Sequence, residues 1–247
     1  MSEPRTVVIT GGAKGIGRAT VALFAAMGDR VVALGRDAEA LAALPAAEAE
    51  TQVCDVTDEA AVARVFGELG PVDVLVNNAG MGESAPLHQT TLESWQRHLD
   101  VNATGAFLCM RAVVHGMRER GTGAIVTVAS TAGRIGVPYT AAYTASKHAV
   151  IGLTRAVAAE LAGTGVRVNA VCPTFVRTDM TGRSIDHIVK RTGRTPQQAE
   201  DALAAASPLG RLLEPDEVAE AIVHLASPAA AAVNGQAWVL DGGGVQA

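Results

Sequence analysis

Thr6 to Thr10 is a short strand-forming run that passes directly into Gly11-Gly12-Ala13-Lys14-Gly15-Ile16-Gly17, after which Arg18 to Met27 has the composition of a helix. No other stretch constrains the fold as tightly. A strand that turns on glycines into a helix is the opening of a βαβ unit, whose crossover returns the next strand parallel to the first. The glycines allow a tight turn and close approach of a ligand, and the helix start offers unpaired N–H groups at the positive end of its dipole. Gly11, Ala13, Lys14, Gly15, Ile16 and Gly17 are therefore candidates to cradle a pyrophosphate. The alternative is a tight turn that holds nothing.

The same alternation continues along the chain. Arg30 to Leu34 reads as a second strand and ends at Gly35-Arg36-Asp37, where an open α/β sheet reads an adenosine ribose: an acid binds the 2′-hydroxyl, whereas arginine binds a 2′-phosphate. Asp37 has the spacing of the acid, while Arg36 and Lys14 supply cations, and we favour the phosphate. Ala38 to Ala49 reads as a solvated helix and Thr51 to Cys54 as a third strand. The carboxylate of Asp55, in Asp55-Val56, is a candidate to accept an adenine amino group, and Asp55 or Thr57 is a candidate to cap the helix Glu59 to Leu69; the two roles are compatible. Val72 to Val76 leads into Asn77-Asn78-Ala79-Gly80, which is either a plain turn or a further site loop in a chain with five Asn. Leu92 to Met117 has helical spacing throughout, with Asn102 in its middle. A buried amide without partners costs about 1–3 kcal/mol, so Asn102 holds a water or a backbone carbonyl near a site, or is an ordinary satisfied core amide.

Ala124 to Ala129 is a further buried strand, followed by Val166 to Val171 with Pro173 to Thr178 beyond it, a helix Val218 to Leu225 and a last strand Ala237 to Leu240. Strands alternating with helices predict an α/β fold in three layers, αβα, with a parallel sheet and ligands at its carboxyl edge. The chain, with 247 residues of which 49% are apolar, is expected to form one domain, 1–247. No apolar run reaches a membrane span and no signal-peptide pattern opens the chain, so a cytoplasmic protein is expected. The net charge of −5 with scattered basic residues argues against nucleic acid. Three isolated cysteines and six unclustered histidines argue against disulfides and metal.

Ser130 to Lys147, STAGRIGVPYTAAYTASK, carries the chemistry. On a helix, Tyr143 and Lys147 share one face, so the ammonium is expected to lower the phenol's pKa and make it a usable acid or base. The alternative is an amphipathic surface pair. The composition favours chemistry, because a chain with 17 Arg keeps only three Lys, which suggests a position that needs a compact ammonium. Ser130, at the end of a strand, places a second hydroxyl where a carbonyl oxygen could lie between the two.

Thr10 to Gly17, Asp55, Asn77 to Gly80, Asn102, Ser130, Tyr143-x-x-x-Lys147 and Pro173 to Thr178, in this order, closely resemble the short-chain dehydrogenase/reductases from Thr6 to Gly243. The resemblance implies a Rossmann fold with seven strands in the order 3-2-1-4-5-6-7. It also implies that Tyr143 donates a proton to a carbonyl, Ser130 polarises it, Lys147 binds the nicotinamide ribose, and Asn102 holds a relay water. NADP(H) would lie along the glycine loop, Arg36, Asp55, Val56, Asn78, Ala79, Gly80, Tyr143, Lys147, Pro173, Val176 and Thr178. Thr174 departs from the glycine that many members carry there. A sensor that binds cofactor without turnover is the rival class, but it would be free to lose Ser130, Tyr143 or Lys147.

The resemblance also places a substrate lid at 179–207, read as a long connection with Met180, Ile185, Ile188 and Val189 inward and Arg183, Lys190, Arg191 and Arg194 as cations. Met81, Ile135, Val137, Tyr139 and Phe175 are further pocket candidates. The pattern looks most like 3-oxoacyl reductases and polyketide ketoreductases, which implies a CoA- or carrier-linked thioester; the alternative is an uncharged cyclic, aryl or sugar-like alcohol or ketone. Apolar residues on several faces of Leu92 to Met117 and Tyr143 to Leu161 suggest a homotetramer.

Overall fold

A computed structural model describes residues 4–246; Met1 to Glu3 and Ala247, part of the expected domain, lie outside the described residues. The chain runs β1 (Thr6–Thr10), α1 (Gly15–Ala26), β2 (Arg30–Gly35), α2 (Ala38–Ala42), β3 (Glu50–Val53), α3 (Glu59–Leu69), β4 (Val74–Asn77), α4 (Leu92–Leu99), a π-helical turn (Asp100–Thr104), α5 (Gly105–Arg120), β5 (Gly123–Val128), α6 (Ala141–Glu160), β6 (Val166–Pro173), α7 (Asp179–Thr192), α8 (Pro196–Ala204), α9 (Pro215–Ala226) and β7 (Ala237–Leu240). All seven strands are parallel, in the order β3-β2-β1-β4-β5-β6-β7. The order reverses between β1 and β4, where Val7 to Ile9 pair with Val74 to Val76. A crevice opens at the carboxyl ends of strands at such a point.

Strand alternation divides the core between the two faces. Val7, Ile9, Val74 and Val76 pack with Val21 and Phe24 of α1 and with Val218, Ile222 and Leu225 of α9. Val8, Leu75 and Ile125 face the other way, against Val65 and Phe66 of α3 and Leu108, Met110, Val113 and Met117 of α5. Burying both faces is why these strands read as unbroken apolar runs. Each fully buried side chain of this size contributes about 1.5–3 kcal/mol.

Three expected elements differ. The helix read over Ala38 to Ala49 stops at Ala42, because Pro45 disfavours helical backbone at the residue before it and removes a donor. The helix read as continuous from Leu92 to Met117 is split by the π-helical turn at Asp100–Thr104, a local widening that periodicity alone does not show. The connection 179–207 is mostly helical: α7 begins on the side chain of Thr178, and α8 on a capping box in which Thr195 and Gln198 satisfy each other's backbone N–H.

Candidate active site

The glycine loop leaves β1 at the switch point, and its shape depends on two missing side chains. A Cβ on Gly17 would collide with the carbonyl of Gly11 and come within 2.5 Å of Asn78 Nδ2, and Gly11 itself has φ +65°, a conformation suited to glycine. Asn78 knits the loop to the end of β4. Its Nδ2 donates to the carbonyls of Thr10 and Gly11 at 3.0 Å each, while Thr10 Oγ1 accepts from the backbone N–H of Asn78 and Ala79. Lys14 precedes α1 without any side-chain cap on the helix, so its first N–H groups are left for an anion. Ala13 and Ile16 anchor the loop on the core. This cradle fits the diphosphate of a dinucleotide.

At the end of β2, Lys14 Nζ pairs with Asp37 Oδ2 at 2.7 Å, and Arg36 lies 3.6 Å from Asp55 Oδ2. Both pairs are exposed, and pairs of this kind contribute little to stability. Asp37 also N-caps α2, accepting from the N–H of Ala40 at 3.0 Å. Asp55 Oδ1 is taken up by the N–H and hydroxyl of Thr57. The cap of α3, expected from Asp55 or Thr57, is instead Asp58, which accepts from Ala61 N at 3.0 Å. Val56 is buried against Gly105, where a Cβ would be 2.6 Å from its methyl.

Ser130 follows β5 in extended conformation and caps the short turn Thr131–Gly133, its Oγ accepting from Ala132 N at 3.1 Å. A Cβ on Gly133 would lie 2.7 Å from the carbonyl of Lys147, so this turn sits directly under α6 and brings Ser130 to Tyr143. The ammonium of Lys147 is 5.7 Å from the Tyr143 ring centroid and donates to the carbonyl of Val128 at 2.8 Å. Lys147 is 5% exposed, and burial lowers its pKa from 10.5 to about 8. The expectation that this ammonium lowers the phenol's pKa is corrected. Burial raises Tyr143 above 10, the hydrogen bond with Ser130 pulls it down, and the neighbouring Cys172 raises it further.

Asn102 is buried in the π-helical turn, and its side chain holds a backbone carbonyl beside the site. Oδ1 accepts from Met81 N at 2.8 Å, and Nδ2 donates to Met81 O and Ser146 Oγ at 2.9 Å each. Ser146 in turn donates to the carbonyl of Tyr143 at 2.7 Å. Gly80 lies beside this group, where a Cβ would be 3.2 Å from Asn102 Oδ1 and 3.6 Å from Lys147 Nζ. Across the crevice Pro173 ends β6, Val176 is buried in the core beside Leu213 with its carbonyl accepting from Thr181 Oγ1 at 2.6 Å, and Thr178 closes on Gly15, where a Cβ would meet the threonine methyl at 2.9 Å. The residues read from the sequence thus meet along one crevice. Ser146 was not read from the sequence, Thr10 was read only as the start of the glycine pattern, and Asp37 was weighed as a ribose acid rather than as the cap of α2, although a short acid ahead of a helix is a recognisable cap signal.

Among the described residues there is no group of three or more His, Cys, Asp or Glu placed to hold a metal, and no helix is long and apolar enough to cross a membrane. The family model described as enoyl-(acyl carrier protein) reductase matches residues 11–244. A putative ketoacyl reductase of Streptomyces coelicolor is 40% identical, with 98% of this chain and 97% of the relative covered. A 2,5-dichloro-2,5-cyclohexadiene-1,4-diol dehydrogenase of Sphingobium indicum is 41% identical, with 97% and 96% covered. The structure superposes on a variant of actinorhodin polyketide ketoreductase crystallised with NADPH, with a TM-score of 0.93 and 39% identity over 100% of both chains. With a family model spanning nearly its whole length, relatives at 40% identity, and the same seven-stranded sheet, the chain belongs to the short-chain dehydrogenase/reductase family of oxidoreductases.

Proposed function

We propose that the protein reduces a ketone to a secondary alcohol. The observation that carries this reading is the convergence of the Ser130 hydroxyl, the Tyr143 phenol and the Lys147 ammonium at the carboxyl end of β5, beside an uncapped helix start and a glycine cradle. NADPH, when bound, supplies the hydride. Gly11 to Gly17, Asn78, Ala79 and Gly80 would hold its diphosphate and adjoining ribose, Lys14 and Arg36 the 2′-phosphate, Asp55 and Val56 the adenine, and Lys147 with Pro173, Val176 and Thr178 the nicotinamide end. Asp37 is engaged in capping α2, which favours the phosphate over a ribose diol.

Tyr143 transfers its phenolic proton to the carbonyl oxygen while Ser130 donates a hydrogen bond to that same oxygen. A phenol raised above 10 by burial stays protonated at neutral pH, as a proton donor must. Lys147, protonated below about 8, places a positive charge beside the tyrosinate that forms as the proton leaves. Asn102 holds Met81 and, through Ser146, the backbone of Tyr143.

For substrate, we infer a 3-oxoacyl or polyketide thioester beneath a lid formed by 179–207. Met180, Ile185, Ile188 and Val189 are half-buried on α7, and Arg183, Lys190, Arg191 and Arg194 are exposed for the phosphates of a CoA or carrier-linked chain. A second reading, an uncharged cyclic or aryl ketone, is favoured by the charge of the same segment: Asp179, Asp186, Glu200 and Asp201 match those four cations in number. NADPH oxidation against acetoacetyl-CoA, its N-acetylcysteamine analogue, trans-1-decalone and an aryl ketone separates them. Turnover of the thioesters is expected; inert thioesters alongside active simple ketones would overturn the first reading. We further propose a homotetramer built through α5 and α6, supported by Phe107, which is 42% exposed on α5.

A further inference from the structure

His98 sits in the last turn of α4, 1% exposed, and both ring nitrogens are committed. Nδ1 lies 2.7 Å from the carbonyl of Ser94, one turn back, and Nε2 accepts from the backbone N–H of Glu83 at 3.1 Å. An N–H donor at Nε2 requires a lone pair there, so the proton is on Nδ1 and the ring is neutral. A buried imidazole needs a partner for each ring nitrogen, and only one of the two lies within its own helix. Here that bond reaches the segment Met81 to Ala85, which passes in front of the catalytic phenol.

The same segment is held two residues earlier by Asn102, whose amide takes both the N–H and the carbonyl of Met81. At its far end Ala85 N donates to the carbonyl of Tyr139 at 2.8 Å, a residue at φ 65°. Gly82 lies between the two clamped residues. A Cβ on it would be 3.4 Å from Cδ2 and Cε2 of Tyr143 and 3.4 Å from Met180 Sδ, so its backbone forms a thin wall between the phenol and α7. The His98 ring also meets the Tyr143 ring edge-on, at 6.5 Å and 75°. Behind the wall a cleft of about 290 Å³, lined in part by Glu83, His98 and Tyr139, gives the segment room to retreat.

We propose that His98 is a positioning and specificity-determining residue: its Nε2 pins Glu83 and thereby fixes how far the Gly82 wall stands from Tyr143. The Glu83 carboxylate ties the same residue to α4 from outside, through Arg97 at 2.7 and 2.9 Å and Ser94 Oγ, but those contacts are exposed and contribute little, so the buried bond from Nε2 is the firmer tether. The consequence for ketone selection rests on the reduction proposed above, whereas the clamp itself does not.

The test compares H98L, which leaves the Glu83 N–H without its acceptor, with H98Q, whose amide oxygen can reach it. Amide hydrogen exchange over 81–85 should be about tenfold faster in H98L and within about threefold of the parent in H98Q. With trans-1-decalone, H98L should lower kcat/KM by about tenfold, mainly through KM, and alter the ratio of alcohol stereoisomers, while the NADPH dissociation constant changes by less than about twofold. Unchanged exchange in H98L, or equal losses in H98L and H98Q, would overturn the proposal. If the parent reduces none of the ketones, the reaction reading fails and the exchange data alone decide whether the clamp exists.

Discussion

Lys147→Met isolates the cost of keeping a cation in this site. Burial lowers the ammonium from 10.5 to about 8, and at about 1.36 kcal/mol per pKa unit this corresponds to about 3 kcal/mol by which the charged lysine prefers the unfolded chain at pH 7. Below pH 8 both states carry the proton and the whole cost is present. Between about 8 and 10.5 the folded chain has shed a proton that the unfolded chain still holds, so stability rises with pH; above that window both are neutral and the cost is gone. Methionine occupies a similar volume without charge. It also removes the bond to the Val128 carbonyl, which shifts the comparison by a roughly constant amount, so the slope rather than the offset is diagnostic. Urea unfolding of parent and variant from pH 7 to pH 10 should show the methionine protein's relative advantage shrinking by up to about 3 kcal/mol, most of it above pH 8. A difference that does not change over this range would refute the claim that the folded site holds a charged, desolvated lysine.

Two further predictions concern the cofactor and the assembly. The parent should favour NADPH over NADH in kcat/KM, and Arg36→Ala should reduce that preference roughly tenfold or more, the worth of one charge-assisted contact to a phosphate; equal use of both cofactors by the parent would return the role to Asp37. Light scattering at micromolar concentration should give the mass of a tetramer, and a monomer would exclude that assembly.

The sheet was legible because its strands are buried on both faces and its turns are punctuated by glycine: Thr6 to Gly17 alone announces the βαβ start, and the strand order then followed from family resemblance. Ser130, Tyr143 and Lys147 were legible because their chemistry needs a spacing that one helix and one strand end impose. Other features lie outside what spacing can carry. The π-helical turn at Asp100–Thr104 leaves no periodic mark, yet it sets the position of Asn102. The clamp of Met81 and Glu83 uses backbone N–H groups, which every residue type but proline possesses, so no sequence pattern points to it. The direction of the Tyr143 shift was misread because a four-residue spacing shows that two side chains share a face but not where the ammonium's hydrogen bond goes. Lys147 turns to Val128, and desolvation then outweighs the neighbouring charge.

The central claim is that Tyr143 delivers the proton in a ketone reduction. NADPH oxidation by Tyr143→Phe, measured with whichever ketone the parent turns over and alongside NADPH binding by fluorescence titration, tests it most directly. The account predicts that turnover falls by at least about a hundredfold, the usual worth of a positioned general acid, while NADPH binding stays within about threefold of the parent, because the removed hydroxyl supplies one hydrogen bond among many. A phenylalanine variant that reduces the ketone at the parental rate would contradict it.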